Sequence, residues 1–343
     1  MKRRQKYRPV IGITMGDAAG VGPEIIVKAL RDGRLLRACR PLVIGDRAIM
    51  ERAAAVVQAP VTVRGIGAPG EAMFVPGTLD VIDLNNLPRD LAFAVVDARA
   101  GKAAYAYVER AVRLALAGEL DAVATAPLNK EALALGGCPF PGHTEILSAL
   151  SGSSEFAMLL LAKRLRVIHV STHVPLRRAC GLVKKERVLR TIRLAASAVR
   201  DLGVAVPRIA VAGLNPHAGE GGLFGAEEAA EIVPAVAAAR AEGIDAVGPV
   251  SPDTVFYRAA VRRDFDIVVA MYHDQGHIPL KVLGFADGVN VTVGLPFVRT
   301  SVDHGTAFEV AGKGTADSRS MTAAIRTAAA MARTRRGKRR TAG

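Results

Sequence analysis

Short apolar runs rich in β-branched residues alternate with alanine-rich stretches along almost the whole chain. The strand candidates are Val10–Thr14, Leu42–Ile44, Ala122–Ala124, Val167–Ser171, Ile209–Ala212 and Ile267–Met271. Helices are predicted near residues 102–118, 186–202 and 226–242. Strand–helix–strand alternation of this length predicts an α/β fold, with a mostly parallel sheet layered between helices. The segment 59–86, rich in glycine, proline and valine, is predicted to be irregular or small-sheet structure.

The chain length and composition fit a cytoplasmic enzyme. At 343 residues, half of them hydrophobic, the chain can supply one large core or two ordinary ones. No apolar run approaches the ~20 residues of a membrane span, and the basic N-terminus lacks the hydrophobic region of a secretory signal. Cys39, Cys138 and Cys180 are isolated in sequence, which predicts reduced thiols and a cytoplasmic location.

The net charge of +14 is concentrated at the two ends of the chain. Residues 1–8 and 333–343 together carry eleven basic side chains and no acid. We therefore expect basic tails over 1–8 and 331–343 that are solvated, disordered and capable only of weak, salt-sensitive binding to polyanions. The rest of the sequence has no stripe of basic and aromatic residues, so a specific nucleic-acid partner is not predicted.

A glycine-rich segment, residues 12–24, follows the first strand candidate and precedes a predicted helix at Ile25–Leu30. Glycines permit positive φ and close approach of a ligand, and Pro23 suits the first turn of a helix. A helix N-terminus behind such a loop could hold a phosphate or a carboxylate. The spacing is not that of the dinucleotide fingerprint, and a tight strand–helix turn explains the glycines equally well.

Three of the seven histidines, His173, His217 and His273, each follow an apolar, strand-like run at the start of a loop. Enzymes of the α/β class build their sites at such strand ends. Neutral imidazoles suit Zn²⁺ and other borderline divalent ions, so a shared metal site is one interpretation. Three unrelated loop histidines are the other. His169 lies inside a strand candidate and is predicted to be buried and structural.

Two further segments carry polar side chains suited to anions. His143 and Thr144 lie at a turn before a helix, in the sequence FPGHTE. The stretch from Asn290 to His304 includes Arg299, whose guanidinium offers a planar fork of donors that matches phosphate or carboxylate oxygens. An Arg–Asp surface pair explains this second segment equally well.

Taken together, these segments closely resemble the family of 4-hydroxythreonine-4-phosphate dehydrogenases. The resemblance runs from about Pro9 to about Ala330, and its motifs are GDAAGVGPE, ATAPLNKEAL, FPGHTE, VSTHVPLR, LNPHAGEGG, SPDTVF, YHDQGHIPLK and GLPFVRTSVDHGTA. It implies an isocitrate/isopropylmalate dehydrogenase-like fold with two α/β subdomains and a cleft. The expected first subdomain is 9–145 with 295–330, and the second, 146–294, holds most of the metal and substrate residues.

The resemblance also implies roles for particular residues. The expected metal ligands are His173, His217 and His273, with His273 contributed by the neighbouring subunit of a homodimer. The expected substrate-binding residues are His143, Thr144, Lys281, Asn290 and Arg299. Asp253 falls near the site, and Lys281 is expected to assist proton transfer, with a phosphate contact as the alternative. The expected cofactor-binding residues are Gly305, Thr306 and Asp317.

The implied reaction is the oxidation and decarboxylation of a small 4-phosphorylated hydroxy acid, with NAD or NADP and a divalent ion (Zn, Mg, Co or Mn). His277 and the segment 126–130 look more like the branch that uses D-threonate or D-erythronate 4-phosphate than like the enzyme of pyridoxine biosynthesis, which uses 4-hydroxythreonine 4-phosphate. The alternatives are a cis-dihydrodiol dehydrogenase of the same family and a phosphate acetyltransferase-like acyl transfer. The acyl transfer would need no cluster of histidines.

Overall fold

The structure, a computed structural model, describes residues 7–342, with side chains to Lys338. The strands are β1 Val10–Thr14, β2 Arg40–Gly45, β3 Thr62–Ile66, β4 Thr78–Asp83, β5 Ala122–Thr125, β6 Ala157–Ala162, β7 Leu165–His169, β8 Ile209–Ala212, β9 Ala246–Val250, β10 Ile267–Ala270, β11 Val289–Val293 and β12 Val298–Val302. The helices are α1 Gly22–Leu30, α2 Arg47–Val56, α3 Ala98–Leu116, α4 Lys130–Leu135, α5 His143–Ser151, α6 Leu176–Gly181, α7 Lys185–Asp201, α8 Val233–Ala241, α9 Pro252–Tyr257, α10 His273–Gly284 and α11 Arg319–Ala342.

The chain divides into two compact units, Met1–Ser154 with Leu295–Gly343 and Glu155–Gly294. In the first unit the strand order is β3-β4-β2-β1-β5-β12, and every pairing is parallel. Strands β1 and β5 are buried throughout, as expected for central strands of a parallel sheet covered on both faces. The α/β class with a mostly parallel sheet, as predicted, is confirmed.

The prediction for residues 59–86 is wrong, because β3 and β4 are strands of this main sheet and β4 pairs with β2. The sequence of β3 lacks the continuous apolar run of a buried strand because β3 is an edge strand. Only Ile66 of its five residues is buried, so the strand keeps polar side chains such as Thr62 and Arg64. Edge strands commonly carry such residues, which blunt the free edge of a sheet.

In the second unit the strand order is β11-β6-β7-β10-β8-β9. Strand β6 pairs antiparallel with both β7 and β11, whereas β7, β10, β8 and β9 pair in parallel. The turn between β6 and β7 is two residues long, so these strands form a hairpin without a crossover helix. The core of this unit is aliphatic, with Leu160, Val167, Val268 and Leu280 among its buried members.

The prediction of a disordered C-terminal tail is wrong, because α11 continues through residues 331–342. Earlier turns of α11 bury Met321 and Ile325. Once a helix is anchored in this way, each added residue gains a hydrogen bond at little cost. Arg333 donates to the Ala38 carbonyl at 2.7 Å, and the Arg336 guanidinium lies 4.0 Å from the ring centroid of Tyr7. Of the predicted N-terminal tail, residues 1–6 lie outside the described residues.

Two sequence expectations concern the environment of the chain. Between residues 7 and 342, no helix is both long and apolar enough to cross a membrane. Cys39, Cys138 and Cys180 are free thiols, and burial raises the pKa of Cys39 to about 12. A thiol with so high a pKa stays protonated at neutral pH, so Cys39 acts as a small apolar core residue.

Candidate active site

Three parallel strands of the second unit end at the same edge of its sheet. Strand β10 pairs with β7 on one side and with β8 on the other. His173 follows β7, His273 follows β10 and His217 follows β8. The predicted placement after a strand is confirmed for all three histidines, although His273 begins helix α10 rather than a loop. The carboxyl ends of adjacent parallel strands are where α/β proteins gather ligand-binding side chains.

Two of these histidines meet. The ring centroids of His173 and His273 are 5.5 Å apart, with the ring planes at 48°. With Zn–N bonds of about 2 Å, two imidazoles on one tetrahedral ion have centroids about 5 Å apart. Nδ1 of His273 lies 2.7 Å from Oδ1 of Asp274. Because a carboxylate can only accept, Nδ1 carries the proton and leaves the Nε2 lone pair for a cation. The donors present therefore fit a divalent metal ion.

His217 occupies a different setting, the turn Pro216–Gly222, where its φ is 51°. This left-handed backbone is stabilised by the buried Glu228 carboxylate, which accepts the backbone N–H groups of Leu214 and Asn215 at 2.7 Å. The His217 side chain is 58% exposed, and its Nδ1 lies 3.8 Å from Oδ2 of Asp253. Asp253 is thus placed beside His217, where it can orient the imidazole.

Among residues 7–342, no group of three or more His, Cys, Asp or Glu side chains is placed to hold a metal ion. One chain brings His173 and His273 together, whereas His217 lies with Asp253. This differs from the expectation that His273 joins the other two from a neighbouring subunit. Strand order alone does not separate His217 from the other two, because β10 pairs with both β7 and β8. The left-handed turn Pro216–Gly222 places the His217 side chain beside Asp253.

His273, His277 and Lys281 lie on one face of α10, because they are spaced by four residues each. The rings of His273 and His277 are stacked, with centroids 3.6 Å apart and planes at 12°. Burial lowers the pKa of His277 to about 4, so this imidazole is neutral at neutral pH. Nζ of Lys281 lies 5.1 Å from the Phe285 ring centroid.

His169 lies behind this face, and its predicted burial is confirmed by an exposure of 3%. Its ring centroid is 4.7 Å from that of His277. Burial lowers the pKa of His169 to about 3. Asn290, also predicted to bind substrate, is a half-buried residue of β11.

The first unit contains a cavity of about 150 Å³ that is lined in part by polar side chains. Its lining residues include Thr125, Lys130, Gly142, His143, Ser301 and His304. Nε2 of His143 and Nε2 of His304 are both buried, with no hydrogen-bond partner among the described residues. Burial, reinforced by Arg299, lowers the pKa of His143 well below its usual value. Buried polar atoms of this kind are normally satisfied by water or a ligand, so the cavity suits a polar guest.

Arg299 lies next to this cavity, on β12. Its side chain is buried, and Nη2 donates to Oγ1 of Thr125, a lining residue, at 2.6 Å. Desolvation lowers the pKa of Arg299 to about 9, so it keeps its charge at neutral pH. The interpretation of Arg299 as part of an exposed Arg–Asp surface pair is therefore wrong. His143 and Thr144 begin α5, as the sequence predicts.

The glycine-rich segment forms a tight turn, and its residues 12–24 are buried. Gly16 has φ +72°, and a side chain there would collide with the Pro127 carbonyl. The N–H of Val21, at the start of α1, donates to the Thr306 carbonyl at 3.0 Å. The turn interpretation is supported, because the N-terminus of α1 is covered by protein.

Helix α1 instead holds the segment that contains the predicted cofactor residues. Glu24 is 1% exposed and accepts the N–H groups of Gly312 at 2.6 Å and Gly314 at 2.9 Å. Lys28, one turn later, donates to the Ala316 carbonyl at 2.6 Å. Sequence reasoning missed Glu24, because its partners are 288 and 290 residues further along the chain.

Comparison with known proteins identifies the family. Residues 37–328 match the family model of the pyridoxal phosphate biosynthetic protein PdxA. The D-threonate 4-phosphate dehydrogenase of Cupriavidus necator is 56% identical over 95% of this chain and 98% of its own length. The chain belongs to the PdxA family. The resemblance inferred from the motifs is thereby confirmed.

Two further PdxA family relatives differ in name. The 4-hydroxythreonine-4-phosphate dehydrogenase of Trichlorobacter lovleyi is 49% identical over 96% of this chain and 99% of its own length. A crystal structure of a 4-hydroxythreonine-4-phosphate dehydrogenase from Burkholderia phymatum superposes with a TM-score of 0.86, at 53% identity, covering 95% of this chain and 99% of that one. Relatives in the PdxA family are therefore named for two different substrates, and family membership alone does not distinguish between them.

Replacing Glu24 of this PdxA family chain with alanine is expected to lower the free energy of unfolding by about 3 kcal/mol, because two buried N–H groups lose their acceptor. Amide exchange in residues 305–317 should accelerate more than elsewhere. Chemical denaturation and hydrogen-exchange mass spectrometry measure the two effects. Glu131→Ala, an exposed glutamate of α4, is the matched control and should change neither. Equal stability of the Glu24 and Glu131 variants would contradict this role.

Proposed function

We propose that this chain is an NAD- and divalent-metal-dependent dehydrogenase that oxidises and decarboxylates D-threonate 4-phosphate. The observation that carries the proposal is the pairing of His173 and His273, with Asp274 setting the tautomer of His273. The relative with 56% identity, named for D-threonate 4-phosphate, supports this substrate. The relative with 49% identity makes 4-hydroxythreonine 4-phosphate the second candidate, and NADP the second cofactor to test.

The chemistry follows from what each group offers. A divalent ion at His173 and His273 would supply a Lewis acid that lowers the pKa of a substrate hydroxyl and polarises the ketone formed from it. Lys281, two turns after His273 on the same face of α10, is proposed to return a proton to the carbon that loses CO₂. A ketone β to the carboxylate makes that loss of CO₂ feasible, because the electrons left behind are delocalised as an enolate.

We propose that Arg299, His143 and Thr144 of the first unit bind the phosphate. Arg299 supplies a charged, buried fork of donors beside Thr125, while His143 and Thr144 lie at the start of α5. Lys281 and Asn290, both in the second unit, are proposed to contact the substrate as well. Nicotinamide dinucleotide is proposed to lie against the segment 305–317, where Gly305 and Asp317 are exposed and α1 restrains the backbone.

We further propose a homodimer in which His217 of a second copy completes the metal site. One chain assembles two of the three proposed ligands, and His217 lies in an exposed turn followed by Leu223, which is 74% exposed. The outer face of α10 exposes Ile278 at 61%, Val282 at 82% and Phe285 at 71%. Contiguous exposed apolar surface of this kind is typical of a protein–protein interface.

Changing Val282 to glutamate is expected to convert the dimer into a monomer, because a charge would be buried in the apolar contact. Sedimentation velocity measures the mass of the particle. The metal content should fall when the dimer dissociates, because each metal site would lose the proposed ligand from the second copy. Val206→Glu is the matched control, since Val206 is a valine of the same unit with 72% exposure that lies outside α10. The proposed interface is wrong if both variants sediment as dimers.

The function is tested by assaying the purified protein with D-threonate 4-phosphate, D-erythronate 4-phosphate and 4-phosphohydroxythreonine side by side. Formation of the reduced cofactor and release of CO₂ are followed with NAD and with NADP, before and after chelation. We expect the highest kcat/KM with D-threonate 4-phosphate and loss of turnover on chelation. Turnover only with a cis-dihydrodiol, or acyl transfer that is insensitive to chelation, would overturn the proposal.

A cytoplasmic location is proposed as well. The three cysteines are unpaired thiols, which suits a reducing compartment. The expected result is an active enzyme in fully reducing buffer, as measured by turnover with and without excess dithiothreitol.

A further inference from the structure

His277 lies between the two residues of α10 that the proposed mechanism uses. It is buried, with 8% exposure, although neighbouring Ile278 is 61% exposed. Its ring covers that of His273 at a centroid distance of 3.6 Å and an interplanar angle of 12°. Its Nδ1 lies 3.0 Å from the backbone carbonyl oxygen of His273. His277 therefore contacts His273 at both the ring and the backbone.

The hydrogen bond defines the form of the His277 imidazole. A carbonyl oxygen only accepts, so Nδ1 of His277 carries the proton. The donated bond fixes the rotation of the His277 ring with respect to the first turn of α10. A side chain held in this way presents one flat face to His273 in a constant orientation.

His277 is itself held from behind by β7. The His169 ring lies 4.7 Å from the His277 ring, and Nδ1 of His169 lies 3.4 Å from the Met158 carbonyl oxygen. Helix α10 approaches β7 this closely because residue 276 is glycine. A Cβ at Gly276 would collide with Nε2 of His169. His277 therefore packs between His273 on one side and His169 of strand β7 on the other.

These contacts restrict the ring of His273 on two sides. Asp274 holds Nδ1 at 2.7 Å, and His277 covers one ring face. An imidazole that is not held in place loses rotational freedom when it binds a cation. This loss of side-chain entropy weakens the binding of the cation. Outer-shell partners that remove this freedom beforehand raise metal affinity.

We propose that His277 is a positioning residue for the metal centre, which orients His273 by ring stacking and by its hydrogen bond to the His273 carbonyl. This inference rests on the proposed metal-dependent function. It assigns no substrate contact to His277. A substrate contact would change KM for the phosphorylated acid, whereas a positioning role changes the affinity for the cation in the absence of substrate.

The test is a titration of the metal-free, full-length protein with Co²⁺, using calorimetry together with the visible absorption spectrum of the bound ion. His277→Leu removes the ring and the hydrogen bond, and we expect Co²⁺ affinity to fall by about 10- to 100-fold with shifted absorption bands. His277→Phe keeps a stacked ring but loses the hydrogen bond, and we expect a loss of about fivefold. His304→Leu, a histidine substitution in the first unit, is the matched control and should leave Co²⁺ affinity unchanged.

Each outcome is decisive for one claim. If the unmodified protein binds Co²⁺ and both His277 variants bind it with the same affinity and spectrum, the positioning role is overturned and the proposed function stands. If the unmodified protein binds no divalent ion, the proposed function itself fails. Should the leucine variant not fold, as judged by circular dichroism, the phenylalanine variant decides, and an unchanged affinity and spectrum would overturn the inference.

Discussion

Replacing His273 with alanine is expected to lower kcat by about a thousandfold or more, since the proposed divalent ion would lose a ligand and its Lewis acidity would contribute several kcal/mol to the transition state. His273 is one of the two imidazoles that a single chain brings together, at a centroid distance of 5.5 Å. Its loss also leaves Asp274 without the imidazole that it orients. Steady-state turnover and metal content by mass spectrometry measure the effect, and both should fall together.

The control for this variant is His304→Ala, which should retain the metal content of the unmodified protein, because His304 lies in the other unit. Thermal unfolding of both variants in the presence of chelator separates a lost ligand from a lost fold. Unchanged metal content in His273→Ala would contradict the assignment of His273, whatever its turnover.

Replacing Arg299 with methionine is expected to lower kcat/KM for the phosphorylated substrate by about a thousandfold, because the proposed bidentate anchor for the phosphate would be lost. The free energy of unfolding should stay the same or rise. Burial opposes the charge of Arg299, as its pKa of about 9 indicates, and an apolar side chain of similar length removes that cost. A loss of binding without a loss of stability separates a lost phosphate contact from a lost fold.

The matched control is Arg166→Met in the second unit. Arg166 is also partly buried, and it donates to the Asp266 carbonyl at 3.0 Å, but it is not among the proposed substrate residues. Its kcat/KM should remain close to that of the unmodified protein. An Arg299→Met enzyme with an unchanged KM would remove Arg299 from the phosphate site.

The sequence predicted best the central strands of each sheet. The bounds predicted for Val10–Thr14 and Ile209–Ala212 coincide with β1 and β8, because strands buried on both faces are continuous apolar runs. The edge strand β3 escaped prediction, since most of its side chains are partly or fully exposed. Helix α11 was cut short in prediction because charge dominated its last turns, while its anchoring lies in earlier apolar residues.

The candidate site was predictable in its residue types and less so in its geometry. Placement of three histidines after strands follows from local patterns. The order β7-β10-β8, which gathers the three strand ends, is a non-local property that no local pattern reveals. The left-handed backbone at His217 and the stacking of His277 on His273 also depend on tertiary contacts, with Glu228 and His169 respectively.

The assignment of ligands to subunits is tested most directly by turnover of mixed dimers. Two inactive alanine variants are co-expressed, purified through different tags and assayed together. If His173 and His273 act in one chain and His217 in the other, the heterodimer of His173→Ala with His217→Ala should recover about half of normal turnover, because every dimer that carries both tags has one intact site of two. His173→Ala with His273→Ala should recover none. Recovery by the second pair and not by the first would contradict this arrangement of the metal centre.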